Sequence, residues 1–155
     1  MRLADSVTIR APRQRVWEFL LDPQRVAGCF PQVDRLERLG PTRVRASVPV
    51  RVAFMTLRVV IDVDLAEQAA PERAKFRIHA TGPGSSADGL VSFTLRDAPP
   101  DAAASADPAG TLVEWTADVQ PAGMAASVGP ETIERQARPA LERAIDCLRR
   151  SVETA

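Results

Sequence analysis

His79 is the chain's single histidine. It is the natural place to look for chemistry, because imidazole readily moves protons near neutral pH. It sits in the run Phe76-Arg77-Ile78-His79-Ala80, where apolar and polar residues alternate. Alternation puts Phe76 and Ile78 on one face and His79 on the other, which predicts a solvent-facing imidazole. No second histidine is present to pair with it on a metal. Cys29 and Cys147 are far apart in sequence and show no ligand spacing. Two such cysteines predict reduced thiols and no disulfide framework. A thiol or hydroxyl nucleophile needs a base beside it, and His79 is the only imidazole on offer. Tyrosine is absent, which removes another common acid. Asp62 and Asp64 lie opposite an apolar row, so a solvated face is expected for both. Asp88, Glu114 and Asp118 are scattered. Gly82-Pro83-Gly84 contains proline and precedes a strand, so it is no nucleotide fingerprint. These residue types point away from catalysis and toward binding.

Composition sets the same limits. The chain has 155 residues, 45% of them apolar and 26% charged. That is one ordinary soluble domain, 1–155, with one core. Formal net charge is zero, so no global field draws in nucleic acid. Lys75 is the only lysine; the other cations are arginines. The first ten residues lack the apolar run of a signal peptide. No stretch has eighteen uninterrupted apolar residues, so no membrane-spanning helix is expected.

Candidate binding residues need elements to hold them, and the patterning supplies these. Leu3, Val7 and Ile9 alternate with polar neighbours and predict a first strand. Pro12 suits a helix start. Val16, Trp17, Phe19, Leu20 and Leu21 give that helix an apolar face. Asp22-Pro23 ends it, because a residue before proline avoids the helical region. A second short helix over 23–28 completes a bent pair. Short strands are predicted over 33–39 and 44–50, with Pro49 arguing for an edge or a bulge. The clearest strand is 53–65, whose odd positions from Ala53 to Leu65 are all apolar and must face a core or cavity. Ala74 to Ala80, Val91 to Leu95 and Val113 to Val119 repeat the pattern. Residues 97–110 are rich in Ala, Pro and Asp and predict a mobile hairpin extension. From Pro130 to Val152, Ile133, Ala137, Leu141, Ile145, Leu148 and Val152 recur at helical spacing. The fold class is therefore α+β. Six to seven antiparallel strands form a curved sheet around a long C-terminal helix, with a short helix pair after the first strand. Pro139 should kink the long helix.

A curved sheet gripping a helix rich in small residues leaves room for an apolar ligand. Phe30, Met55, Phe76, Phe93, Trp115, Met124 and Leu141 are the expected cavity wall. No catalytic or metal-binding residue is assigned. An enzyme on this scaffold would need polar groups with shifted pKa values inside the cavity. His79 or Asp118 buried there would favour that alternative. A protein–protein adaptor with a filled core is the other.

The order of elements resembles the helix-grip fold of the START/Bet v 1-like (SRPBCC) superfamily. Four segments resemble the G-subunit family of carbon monoxide dehydrogenase within it. These are Val16-Trp17-Glu18-Phe19-Leu20-Leu21-Asp22-Pro23, the corner Cys29-Phe30-Pro31, the strand Gly110-Thr111-Leu112-Val113-Glu114-Trp115, and Gly123-Met124-Ala125-Ala126-Ser127-Val128-Gly129. The resemblance implies a small accessory protein of a molybdenum-containing dehydrogenase, linked to membrane attachment and the quinone pool. It implies a hydrophobic ligand, quinone- or lipid-like, and no tightly held cofactor. Polyketide cyclases and aromatases share the superfamily, so a cyclase-like enzyme is the competing reading. Family members often extend beyond the last helix into an anchoring segment, whereas this sequence stops at Ala155. Cytoplasmic placement with at most peripheral contact at the inner membrane face is the resulting expectation. The turn around Pro49-Val50-Arg51 also departs from the family's Gly-Pro, at a loop that borders the cavity in such folds.

Overall fold

A computed structural model describes residues 1–52, 54–98 and 110–154. Most of the expected extension over 97–110 lies outside them. The described residues form one seven-stranded antiparallel sheet and three α-helices. In chain order these are β1 (Arg2–Ile9), α1 (Arg13–Leu20), α2 (Pro23–Ala27), β2 (Arg35–Arg38), β3 (Arg43–Val52), β4 (Met55–Ala69), β5 (Arg73–Gly82), β6 (Ser85–Asp97), β7 (Thr111–Gly123) and α3 (Pro130–Glu153). A single-turn 3-10 helix, Met124–Ser127, leads from β7 toward α3. The spatial order is β1-β7-β6-β5-β4-β3-β2. The chain meanders from β2 to β7, and β1 closes the far side by pairing with β7.

Local chemistry sets the element ends. Asp22 caps α2: its side chain accepts hydrogen bonds from the backbone N–H groups of Gln24 (3.1 Å) and Arg25 (3.4 Å). Pro23 follows in the first turn, where its missing N–H costs nothing. Pro49 lies in β3 beyond the last residue that β2 pairs with. It therefore sits where β3 is an edge strand, the position a residue without an N–H tolerates. The α3 helix runs unbroken through Pro139.

The sheet has two unlike faces. Ile9, Ala11, Val16, Trp17, Phe19, Cys29, Ala74, Phe93, Leu95, Val113 and Val152 form the buried core. It lies between α1, the α2 corner, the C-terminal turn of α3 and one end of the sheet's inner face. Ile9, Val16 and Val152 are fully buried. The hydroxyl of Thr111, also fully buried, donates to the carbonyl of Ala11 at 2.7 Å and ties the β1–α1 corner to β7.

Cys29 and Cys147 correct the expectation of separate reduced thiols. They form a disulfide across 118 residues, with Cα atoms 5.6 Å apart. The bond joins the end of α2 to the C-terminal half of α3. Sequence spacing could not show this, because the two cysteines meet only after the sheet has brought α3 back over the α1–α2 corner.

Candidate functional site

The inner face beyond the core is built from three cross-strand rows. Register places Ala117, Val91, Phe76 and Leu65 side by side. The next row is Val119, Gly89, Ile78 and Val63, and the third is Pro121, Ala87, Ala80 and Ile61. None of these twelve residues carries a hydrogen-bonding or ionisable side chain, and all are only half-buried. The cause lies in α3, which packs chiefly on β1 and α1. Along its apolar stripe Ile133, Ala137 and Leu141 remain half-exposed, while Ala144 and Val152 are buried. The helix is thus pinned at its C-terminal half, and the inner face of β4, β5 and β6 is an apolar surface that is only partly covered, the floor of a candidate cleft.

This surface runs out at the end of the sheet where the β3–β4 and β5–β6 turns lie. Phe54 (91% exposed) and Met55 stand at the first turn, and Met124 and Val128 stand exposed just before α3. Gly84 and Gly123 hold this end together. Both have positive φ, 68° and 69°. The backbone N–H of Met124 donates to the carbonyl of Gly84 at 2.8 Å. A Cβ on Gly123 would lie 2.5 Å from that same oxygen, so only glycine permits the approach.

The seven expected wall residues fall into three groups. Phe76, Phe93 and Trp115 come together on adjacent strands, with Phe93 and Trp115 opposite in register and Phe76 and Phe93 ring centroids 5.7 Å apart. Phe93 is buried and meets Trp17 edge-on at 6.2 Å. Leu141 is half-buried on α3, and Phe30 half-buried in the corner after α2. Met55 and Met124 are exposed at the open end. That wall omits Ile61, Val63, Leu65, Ile78 and Val91, which make up most of the floor. Their signal was the alternation itself, since every one lies on the apolar side of its strand. Trp115 has one further property: its indole Nε1 is buried without a hydrogen-bond partner.

His79 and its charged neighbours lie on the other side, whereas Asp5, opposite Trp115 in register, is an exposed carboxylate on the inner-face row. His79 is exposed on the outer face, as its alternation predicts, with Nδ1 2.6 Å from Asp88 Oδ1. Glu37, Arg45, Asp62, His79 and Asp88 are successive neighbours across β2 to β6. Glu37, Arg45 and Asp62 alternate in charge, and the hydrogen-bonded His79 and Asp88 continue the polar row, as expected on a solvated sheet face. Arg45 Nε donates to Asp62 at 2.7 Å. That hydrogen bond holds the Asp62 carboxyl below its ordinary range and the Arg45 guanidinium above its own. Asp118 is also on the outer face, beside Arg2 at 3.8 Å. Neither His79 nor Asp118 is on the inner face. Among the described residues, no group of three His, Cys, Asp or Glu side chains could hold a metal, and no helix is long and apolar enough to cross a membrane.

Three solved structures share this architecture. A conserved protein from Geobacillus kaustophilus superposes with a TM-score of 0.82 at 14% identity, covering 99% of this chain and 96% of that one. A START superfamily protein from Mycobacterium smegmatis gives 0.70 at 16%, covering 99% and 97%. The Zhui aromatase/cyclase from Streptomyces sp. R1128 gives 0.60 at 20%, covering 99% and 93%. At these identities the likeness is one of fold, the α+β helix-grip arrangement. Comparison with curated proteins returned no match. The model of the CoxG family, the G-subunit family of carbon monoxide dehydrogenase, matches residues 6–153, nearly the whole chain. This START-type domain therefore belongs to the CoxG family.

Proposed function

We propose that the protein binds an apolar small molecule, quinone- or lipid-like, in the cleft over β4, β5 and β6, and performs no reaction on it. The observation that carries this reading is the incompletely buried floor of twelve residues without a polar side chain. Water against such a surface is unfavourable by about 25 cal/mol per Å2, and an apolar ligand recovers that free energy less the cost of association. Phe76, Phe93 and Trp115 form the inner end of the site, Leu141 its helix side, Phe30 its corner, and Met55 and Met124 its mouth.

Family membership supports an accessory role beside a molybdenum-containing carbon monoxide dehydrogenase as the partner. A cyclase-like enzyme would need an acid or base in the cleft. His79 and Asp118, the groups that would have favoured it, lie outside. A filled-core adaptor would bury the floor completely, and the floor residues are only partly buried. Peripheral membrane contact at most fits this role, in a compartment that does not reduce the Cys29–Cys147 bond. The disulfide adds a condition, since such a bond persists only where thiols are not kept reduced.

Native mass spectrometry of the protein from its own host, with lipid extraction, tests the proposal. A stoichiometric apolar molecule is expected. A bare polypeptide mass, unchanged after incubation with quinones and lipids, would overturn it.

A further inference from the structure

We infer that the ligand is an uncharged molecule bearing a carbonyl-type hydrogen-bond acceptor, and that it binds with this oxygen innermost, on the indole N–H of Trp115. The inference rests on the apolar cleft proposed above and specifies its occupant.

Three observations lead to it. The first is position. The row Asp5–Trp115–Phe93–Ala74 is the boundary of the inner face, with the exposed carboxylate of Asp5 at its β1 end, which disfavours an anionic ligand. On one side of it Leu95 and Val113 are buried, and on the other every floor residue is incompletely buried. Trp115 therefore stands where the filled core ends and the cleft begins. The second is the indole nitrogen, which is closed to solvent and has no acceptor. A buried N–H without a partner costs about 1–3 kcal/mol, so native structures seldom leave one unmet. An indole can only donate, so its missing partner is an acceptor. The third is what the floor lacks. With no cation among its side chains, it offers nothing to offset the desolvation of a carboxylate or phosphate. A neutral oxygen at one end of an apolar body meets all three conditions.

Because the nitrogen is covered in this structure, the ligand's oxygen must displace the packing over it. The apolar remainder then lies along β4, β5 and β6 toward Phe54 and Met124. This orientation is the reverse of a surfactant bound with its polar head in water.

Three rigid probes built on one tricyclic frame separate the possibilities. Fluorenone carries the carbonyl, fluorene replaces it with a methylene, and fluorene-9-carboxylate carries a charge. Affinities for wild type and Trp115→Phe would be measured by calorimetry. Loss of the N–H should weaken fluorenone about five- to tenfold and leave fluorene nearly unchanged. The carboxylate should be the weakest of the three on wild type. Equal effects of the substitution on fluorenone and fluorene, or a carboxylate that binds as well as fluorenone, would overturn the inference and leave the apolar-ligand reading standing. No binding of either neutral probe to wild type would overturn both.

A second measurement covers a poorly folded variant. The 15N-labelled wild type has two indole N–H signals, from Trp17 and Trp115, and Trp17→Phe assigns them. The Trp115 signal should move downfield with fluorenone and stay with fluorene. A signal that ignores both probes while they bind would overturn the inference.

Discussion

Breaking the Cys29–Cys147 bond should cost the fold a large part of its stability. The bond closes a loop of 118 residues. In the chain-entropy description, a cross-link of that span removes about 16 cal/mol/K from the unfolded chain, or about 5 kcal/mol at 25 °C. Domains of this kind are typically stable by about 5–15 kcal/mol, so the bond would supply a third or more of the total. Structural placement agrees with a strong effect. The C-terminal half of α3 is held by buried Val152 and by the backbone N–H of Arg10, which donates to Glu153 at 2.9 Å. The disulfide joins this half to the α2 corner beside a core that includes Cys29. Urea unfolding of oxidised protein, of protein in reductant, and of the Cys29→Ala/Cys147→Ala variant would be compared. Both bond-free forms should unfold at much lower urea, with a steeper dependence because their unfolded chains expose more surface. A thiol titration in denaturant without reductant should find no free cysteine. Two reactive thiols there, or midpoints that coincide with and without reductant, would refute the reasoning.

Three smaller perturbations probe other parts of the molecule. Asp22→Ala removes the cap of α2 and should cost about 1 kcal/mol in the same urea experiment. Gly123→Ala places a Cβ 2.5 Å from the Gly84 carbonyl at a φ of 69°. It should destabilise by about 1–3 kcal/mol and alter the amide signals of Gly84 and Met124. Asp62 should contribute to acid sensitivity. Its carboxyl is held low in the folded chain by Arg45, so its stabilising contribution is present above the unfolded value near 3.9 and is lost as pH falls through the folded one. Asp62→Asn should therefore flatten the fall of stability with pH below about 4, and an unchanged slope would contradict the pairing.

The elements of this fold were legible because each one is written locally. The odd positions from Leu57 to Leu65 face inward as their alternation requires. The first and last helices begin and end close to where Pro12, Asp22-Pro23 and Pro130 place them. His79 reads correctly as an outer-face residue for the same reason. The candidate site was only partly legible. Phe76, Phe93 and Trp115 share the inner face with the floor, but Met55 and Met124, chosen as apolar walls, stand exposed at the open end. Residue type indicates a preference for burial, yet the last residues of a strand reach past whatever would cover them.

By itself, then, the sequence determined which side of each strand is apolar, where the helices run, and the absence of an imidazole from the inner face. Periods of 2 and 3.6 residues are properties of neighbouring positions, and a chain carries them before it folds. Tertiary structure alone decided two things. It brought Cys29 to Cys147, and it laid α3 against β1 and α1, leaving the inner face of β4, β5 and β6 only partly covered. Both depend on how far a seven-stranded sheet carries its last helix back toward its first, a distance set by the register of every strand pair between them.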